Sequence, residues 1–315
     1  MLLYYSLDCS ATTTPVRHYL TYPISLKVNH IFDINTQNST FKTMVSIEIK
    51  HPTLKPNPLD DIAFPDAYNK KLLSYTTDQL ADGSYLSSGK YILTIGKHFD
   101  LSQYPFEKHK LSIVLENEKF GHNTRYLLSN NMSQHNKVIQ KTALPSGWRL
   151  LSSKLNVSLY RFKNALLPNT TPDTWHSRLS YTLIIKRSDL RLFFLIFSTL
   201  YLAYFLNLYT LFLPLHQDFA ILRNSLIVTS IFSYIGNYFV TSNLLINTLH
   251  FSLVDKIQTL VLLLMLATLI VTTIVTKKIE QNKLLFGTEK KVRQISCITS
   301  ILLFIVGNYW ALQGG

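Results

Sequence analysis

The fold of this chain is decided where its sequence changes character, within residues 178–213, RLSYTLIIKRSDLRLFFLIFSTLYLAYFLNLYTLFL. Up to Arg187 the stretch alternates apolar and polar side chains, as a strand with one buried face does. From residue 192 to residue 213 it carries no charged side chain. That length is enough for a helix to cross the hydrocarbon of a bilayer. The stretch therefore predicts a β-rich domain joined to a membrane anchor.

Three more segments without a charged side chain follow, at residues 224–249, 257–276 and 294–315. Each supplies the roughly 17 to 25 residues that a membrane-spanning helix needs. Four such segments in succession leave too little polar surface for a soluble helical domain. We therefore predict a four-helix transmembrane domain over residues 188–315, with helices near 190–213, 220–245, 251–276 and 292–313.

The basic residues between these segments predict the orientation in the membrane. Six lysines and arginines lie between the third and fourth segments, whereas the link between the second and third carries only Lys256. Because lysine and arginine are retained on the cytoplasmic side, the third-to-fourth link is expected there. We therefore expect a multi-pass protein of the cell inner (plasma) membrane, with the N-terminal domain and the C-terminus extracytoplasmic.

Residues 23–187 show the period of two that is typical of strands. Ile24, Leu26 and Val28 alternate with polar side chains, and so does the run at 41–49, with a polar hairpin loop at 33–39 between them. Further strand candidates lie at 90–95, 109–115, 155–162 and 178–185. This spacing predicts an extracytoplasmic β-sandwich, immunoglobulin-like, of about ten strands. Residues 1–22 are interpreted as an N-terminal tail or the remnant of a signal segment.

The composition argues against several classes of function. Cys9 and Cys297 are the only cysteines, too few for a disulfide framework or a zinc site. The sequence contains no P-loop, no Gly-x-Ser-x-Gly and no His-Glu-x-x-His motif, so we expect no enzyme, no cofactor and no metal. The formal net charge of +13 is partly the orientation signal, and no basic stretch is interleaved with regularly spaced aromatics. Nucleic acid is therefore not an expected partner.

Residues 98–111, HFDLSQYPFEKHKL, carry a resemblance to a known family. An aspartate, Asp100, precedes Tyr104-Pro105-Phe106-Glu107, and a predicted strand follows. This pattern resembles the signature loop of pentameric ligand-gated ion channels, the Cys-loop receptor superfamily, in its bacterial form without cysteines.

Other segments resemble elements of the same family in the same order. They are residues 62–66 (IAFPD), 146–148 (SGW), 185–187 (IKR) and 240–244 (VTSNL), so the resemblance covers roughly residues 23–313. Three positions depart from the family pattern. Ala63 replaces a tryptophan, Phe194 lies near the place of a proline, and Ala220 stands where cation-selective members carry an acid. With Asp218 and Arg223 close to that position, the ion preference is left open.

The resemblance implies a homopentamer whose second transmembrane helix lines a pore for inorganic ions. One stripe of that helix is polar at its cytoplasmic end and apolar through the middle, where narrow apolar rings gate by dewetting. A second register places Ser225, Thr229, Phe232 and Gly236 on the axis. We prefer the first, because it keeps the spacing to Asn243 that the family shows. In it, Thr229, Ser233 and Asn237 face neighbouring helices. The predicted pore-lining residues are Asn224, Val228, Ile231, Ile235 and Tyr238.

The resemblance also implies a gating interface between the head and the membrane helices. Its arginine is Arg187, which is expected among acids from the first hairpin loop and the signature loop, namely Asp33 and Glu107. Such a charge cluster would couple motion of the head to motion of the helices. The signature loop contributes the rest of the predicted interface, Asp100, Tyr104, Pro105 and Phe106.

For the ligand, the resemblance indicates a region at the subunit interface, under the loop at 164–177. Aromatic faces suit cationic amines. Protons are an alternative stimulus, because imidazole titrates near neutrality, with His109 and His176 as candidates. The predicted ligand-binding residues are Trp175, His176, Tyr160, Phe162, Tyr126 and Phe64. The alternative to a channel is a non-conducting membrane sensor or structural anchor with the same architecture.

Overall fold

A computed structural model describes residues 20–117, 124–128, 144–162, 174–214, 219–245, 251–281 and 286–313. Nine strands in the N-terminal half of these residues are followed by four helices. The strands are β1 (Leu20–Asn35), β2 (Thr40–His51), β3 (Ile62–Ala63), β4 (Ala67–Gln79), β5 (Tyr85–Gly96), β6 (Lys108–Asn117), β7 (Thr124–Leu128), β8 (Trp148–Phe162) and β9 (Thr174–Arg187). The helices are α1 (Leu190–Tyr209), α2 (Ala220–Leu244), α3 (Leu253–Glu280) and α4 (Phe286–Gln313).

The strands form two sheets, in the orders β4-β5-β2-β1-β7 and β3-β6-β9-β8. The pair β1 and β7 is parallel, and the other pairs are antiparallel. Alternate side chains of both sheets point into one shared hydrophobic core. Its fully buried members include Ile24, Ile47 and Leu93 from the first sheet and Leu111, Ile113 and Leu183 from the second.

The alternation seen in the sequence is confirmed in the first two strands. Ile24, Leu26 and Val28 are buried, and so are the apolar positions of β2. The hairpin turn lies at residues 36–39, inside the predicted loop. β1 begins at Leu20, earlier than the predicted domain start, because Tyr22 is already a core residue. The rest of the predicted tail, residues 1–19, lies outside the described residues.

Three of the four helices are long and apolar enough to cross a membrane, judged over the described ranges of the chain. They are Leu190–Tyr209, Leu253–Lys278 and Lys290–Gln313. The remaining helix, α2, has 25 residues but is more polar, because nine of them are asparagine, serine or threonine. The sequence predicted four spanning helices from the absence of charge, and that criterion does not count these uncharged polar groups.

Buried polar groups tie α2 to its neighbours. Asn237 Nδ2 donates to the Ile196 carbonyl of α1 at 2.6 Å, and Asn237 Oδ1 accepts from Gln258 Nε2 of α3 at 3.0 Å. Gln258 Nε2 also donates to Thr241 Oγ1 at 2.6 Å. The prediction that Asn237 faces a neighbouring helix is therefore confirmed. Thr229, by contrast, donates to a carbonyl one turn earlier in its own helix.

A close approach between α3 and α4 depends on Gly307. A Cβ atom at Gly307 would lie 2.5 Å from a methyl group of Leu260, whereas a Cβ at Gly236 would meet nothing within 4 Å. We expect Gly307→Val to lower the melting temperature of the purified protein, because the added methyl groups displace the Leu260 side chain that packs there. Gly236→Val, which changes helix propensity equally, is the control and should melt close to the wild type. Equal melting temperatures would contradict the close packing at Gly307.

Candidate functional site at the junction of head and helices

The head touches the helices at one end of the bundle. β9 runs directly into α1, where Asp189 caps the first turn by accepting from the Arg191 amide at 2.9 Å. Gln37, in the β1–β2 hairpin, donates to the Asn243 carbonyl near the end of α2 at 3.2 Å. The Leu253 amide at the start of α3 donates to the Ser102 carbonyl at 2.8 Å. A loop and a hairpin of the head therefore hold the ends of the helices.

The loop at 97–107, between β5 and β6, is the part of the head that meets the helices most closely. Asp100 Oδ1 accepts from the Ser102 amide at 2.9 Å, and two tight backbone turns follow. The peptide bond between Tyr104 and Pro105 is cis, and both residues are buried. Phe106 leaves the loop toward α1, where its ring lies 5.4 Å from the ring of Phe193. The loop thus places one aromatic side chain on the helical domain.

Arg187 and Glu107 form the charged centre of the junction. Arg187 Nε lies 2.5 Å from Glu107 Oε1, and the Arg187 amide donates to the Glu107 carbonyl at 3.0 Å. The Glu107 side chain is 1% exposed and that of Arg187 is 18% exposed. The guanidinium also lies over two rings, 4.4 Å from the centroid of Trp148 and 5.5 Å from that of Tyr104. The arginine is therefore held by a carboxylate and by two aromatic faces.

Burial sets the electrostatics of this cluster. It raises the pKa of Glu107, and the neighbouring Arg187 charge opposes that rise without cancelling it. His109 is packed between Phe99 at 4.9 Å and Trp148 at 5.6 Å between ring centroids. Burial, reinforced by the Arg187 charge, lowers the pKa of His109 to about 4. The imidazole is therefore neutral at neutral pH.

The second predicted acid of the gating interface does not reach Arg187. Asp33 lies opposite Lys42 in the β1–β2 register and forms an ion pair with it at 3.1 Å. Both side chains are half-exposed, so the pair contributes little to stability. The sequence could assign Asp33 to the hairpin but not to a partner across it. The arginine's carboxylate partner is Glu107.

A row of aromatic rings continues from the junction into the helical domain. Beyond Phe106, the ring of Phe193 lies 4.8 Å from that of Phe197, which lies 5.8 Å from that of Tyr201. Tyr201 meets Phe304 of α4 at 5.3 Å. Ring packing at these distances is stabilising beyond the area that it buries. The row links the head loop to α1 and then to α4.

The predicted ligand-binding aromatics divide into two groups. Tyr126 is 1% exposed and Phe64 is 7% exposed, so both belong to the core and do not offer a face to a ligand. Phe64 packs edge-on against Tyr91, and the Lys70 ammonium lies 5.8 Å from the Phe64 ring centroid. The assignment of Tyr126 and Phe64 to a ligand site is thus corrected by their burial. The loop at 163–173 lies outside the described residues, as do the side chains of Tyr160, Phe162, Trp175 and His176, whose backbones lie at the paired ends of β8 and β9.

The exposed face of α2 can be compared with the two predicted stripes. Its buried face contains Arg223, Ile227 and Asn237. With 3.6 residues per turn, the stripe of Phe232 and Gly236 lies roughly opposite this face, and the stripe of Ile231 lies roughly a quarter turn from it. Phe232 is 69% exposed, and Ile231, at 38%, borders a groove between α2 and α3. All five residues of the first stripe, Asn224, Val228, Ile231, Ile235 and Tyr238, are exposed in the single chain.

Arg223 is not on either stripe. It is buried and donates from Nη1 to the Pro214 carbonyl beyond the end of α1 at 2.6 Å. Arg293 of α4 reaches the same region and donates to the Leu213 carbonyl at 2.6 Å. The sequence placed Arg223 just inside the predicted pore mouth, and the structure turns it into the bundle. In the described part of α2, neither stripe carries a charged side chain.

One serine–histidine pair in the head has the spacing of a catalytic dyad. His51 Nε2 lies 2.8 Å from Ser87 Oγ, and Asn57 Nδ2 donates to the same oxygen at 2.7 Å. Both Ser87 and His51 are buried in the core. The pair therefore satisfies buried polar groups and offers no surface to a substrate. No group of three metal-ligating side chains comes together among the residues that the structure describes.

Three contributors to the junction were missed in the sequence. Trp148 was noted only as part of the segment at 146–148, and the structure pairs it with Arg187, because β8 begins opposite the end of β9. Gly147, with φ 86°, makes the turn before it, and the Ser188 amide donates to its carbonyl at 2.8 Å. Phe193 is one of several aromatics in α1, and nothing in its spacing distinguishes it.

Arg187→Ala tests the charged centre of the junction. The substitution leaves the Glu107 carboxylate buried without its partner, so we expect a loss of about 3–5 kcal/mol in the free energy of unfolding. Chemical denaturation of the detergent-solubilised protein measures it. Lys186→Ala, the exposed neighbour with the same charge, is the control and should stay within about 0.5 kcal/mol of wild type. Adding Glu107→Gln to Arg187→Ala should recover part of the loss. Equal stability of Arg187→Ala and Lys186→Ala would refute the buried ion pair.

His109 predicts a pH dependence of stability. The unfolded chain takes up a proton at His109 near pH 6.5 and the folded chain only near pH 4. The contribution of the neutral His109 to the free energy of unfolding is therefore fully present above pH 6.5. It is lost as the pH falls from 6.5 to 4, by up to about 3 kcal/mol. Glu107 acts in the opposite direction, because its raised pKa lets the folded state bind a proton more readily.

The test is the melting temperature of wild type and His109→Phe between pH 7.5 and 4. The phenyl ring keeps the packing between Phe99 and Trp148 and cannot titrate, so the variant should lose less stability in acid. His98→Phe, at an exposed position, is the control and should keep the wild-type profile. An unchanged acid slope in His109→Phe would contradict the buried neutral imidazole.

No protein-family model matches this chain, and no curated protein matches its sequence. The function is therefore inferred from the contacts described above.

Proposed function

We propose that this chain is one subunit of a homopentameric ligand-gated ion channel of the cell inner membrane. The observation that carries the proposal is the junction, where Arg187, Glu107 and Phe106 tie the loop of the head to the start of α1. The same loop resembles the signature loop of the pentameric ligand-gated channels. A β-rich head that meets the ends of three helices of a four-helix domain has the connections that ligand-driven gating requires.

The contacts of the head support the proposed topology, in which the four helices form a transmembrane domain with the head outside. The head meets the start of α1, the end of α2 and the start of α3, so the opposite end carries the link between α3 and α4. Residues 277–293, at that end, hold six of the nine lysines and arginines of residues 188–315, as a cytoplasmic end does. Tyr309 and Trp310 are exposed near the head end of α4, where an aromatic belt is expected.

The polar character of α2 supports its role as the pore-lining helix. One face is bound to α1 and α3 through Asn237 and its partners, and the other face is exposed. In a pentamer this exposed face would meet the copies in the other subunits around a central axis. The burial pattern of α2 favours one of the two stripes as the pore face. It is the stripe of Ser225, Thr229, Phe232 and Gly236, rather than the stripe that contains Ile231 and Ile235.

The subunit count is the first test. Native mass spectrometry of the detergent-purified protein should give a pentamer, and the pentamer should conduct ions after reconstitution into a planar bilayer. A stable monomer or dimer would leave no central pore and would overturn the proposal. A pentamer without conductance would favour the alternative, a membrane sensor or structural anchor with the same architecture.

Cysteine accessibility tests the pore face. In a background with Cys9→Ser and Cys297→Ser, we expect Gly236→Cys to react with a water-soluble thiol reagent and to lose most of its current. Ile235→Cys, one residue away at nearly the same depth, is the matched control and should lose less. The reverse order would restore the first stripe as the pore face, and modification of neither would argue against an aqueous pore along α2.

A further inference from the structure

The end of the helical domain remote from the head carries a high density of positive charge. Residues 277–293 contain six lysines and arginines against two glutamates. Retention of positive charge in the cytoplasm accounts for their side of the membrane but not for their individual positions. The structure divides the cations of this end into two sets with different surroundings.

The first set faces inward. Arg223 and Arg293 donate to the carbonyls of Pro214 and Leu213, which follow the last residue of α1. These two guanidinium groups are therefore committed to contacts within the protein. They explain part of the charge without any ligand.

The second set faces outward and is called the basic collar here. It consists of Lys277 and Lys278 in the last turn of α3 and of Lys290 and Lys291 in the second turn of α4. All four are exposed. None of the ion pairs within the described residues involves them.

The position of the collar matches the depth of lipid headgroups. The apolar spans run over Leu253–Lys278 and Lys290–Gln313, so all four lysines lie within the terminal residues of a span at this end of the bundle. The stem of a lysine at such a position follows the apolar surface while its ammonium reaches the phosphate layer. Because α3 and α4 pack against each other, the two pairs of lysines lie on neighbouring helices at the same end of the bundle.

We propose that the basic collar binds the headgroups of anionic phospholipids in the cytoplasmic leaflet. The proposal rests on the topology proposed above and not on the pore. Clusters of four or more basic residues at the cytoplasmic end of a membrane helix attract anionic lipid. The basic collar should therefore make the protein retain an anionic phospholipid about tenfold or more better than a zwitterionic one.

The test compares phosphatidylglycerol with phosphatidylcholine of the same acyl chains. Native mass spectrometry of the detergent-solubilised protein counts the lipids retained at each concentration. We expect wild type to retain phosphatidylglycerol at about one-tenth of the concentration that phosphatidylcholine needs. The collar variant, with glutamine at Lys277, Lys278, Lys290 and Lys291, should retain both equally. A head variant with glutamine at the exposed Lys27, Lys71, Lys90 and Lys154 carries the same change in charge and should keep the preference.

Further arms separate the alternatives. Soluble glycerol phosphate added in excess should not displace the lipid, and displacement would mean that the site recognises a free phosphate group instead. Equal retention of the two lipids by wild type, or an unchanged preference in the collar variant, would overturn the proposal. If the fourfold variant does not fold, the pairs Lys277/Lys278 and Lys290/Lys291 are replaced separately, and each should lose part of the preference.

Failure of the lipid site and failure of the channel are distinguishable. Lipid retention is measured without any current, so a non-conducting pentamer leaves the result unaffected. Protease access to the α3–α4 link in sealed, right-side-out vesicles tests the topology separately. A link that is cleaved from outside would remove the cytoplasmic leaflet as the location of the site.

Discussion

The ion pair between Arg187 and Glu107 is the interaction on which the arrangement of the two domains depends. The arginine is the last residue of the head's final strand, and the carboxylate ends the loop that rests on the helices. Neither charge is well placed without the other, because the Glu107 side chain is almost fully buried. The pair therefore fixes the loop against the strand at the point where the chain enters α1. The end of β9, the loop and the start of α1 therefore meet at one point.

The aromatic side chains around this pair give it rigidity. Trp148 contacts both the Arg187 guanidinium and the His109 imidazole, so one aromatic ring packs against the charged centre and the buried histidine. Phe106 carries the contact onward to α1, and the ring row reaches α4. Flat rings packed in sequence have few alternative arrangements, which favours discrete states over gradual deformation. The two predicted titrations act in opposite directions in this small volume.

The packing of the helical domain provides partners for polar side chains of α2. A helix with nine asparagines, serines and threonines among 25 residues is costly in hydrocarbon unless those groups find partners. α2 finds them on one face, through Asn237, Gln258 and Thr241, and leaves the opposite face exposed. At the remote end the same principle applies to charge. Two arginines are satisfied by backbone carbonyls, and four lysines remain outside.

The sequence by itself determined most of the elements. Its strand candidates fell on six of the nine described strands and missed β3, β4 and β7. Alternation at positions such as Ile24, Leu26 and Val28 gave strands, because a strand that buries one face must alternate, and the uncharged segments gave the four helices at nearly their observed places. It also indicated Arg187 and Glu107 as partners, through a resemblance carried by local motifs. These features are local in the chain, so a pattern of neighbouring residues is enough to specify them.

Only the tertiary structure decided which side chains meet across the chain. It paired Asp33 with Lys42, buried Tyr126 and Phe64, turned Arg223 into the bundle and set His109 against Trp148. None of these outcomes follows from spacing, because burial and partnership depend on how separate elements pack and on which register adjacent strands adopt. The face of α2 was likewise ambiguous in the sequence, where two stripes one residue apart fit the same period. The position of α1 and α3 behind Asn237 sets the stripe of Phe232 and Gly236 opposite the buried face, because a helix can bury only one face against its neighbours.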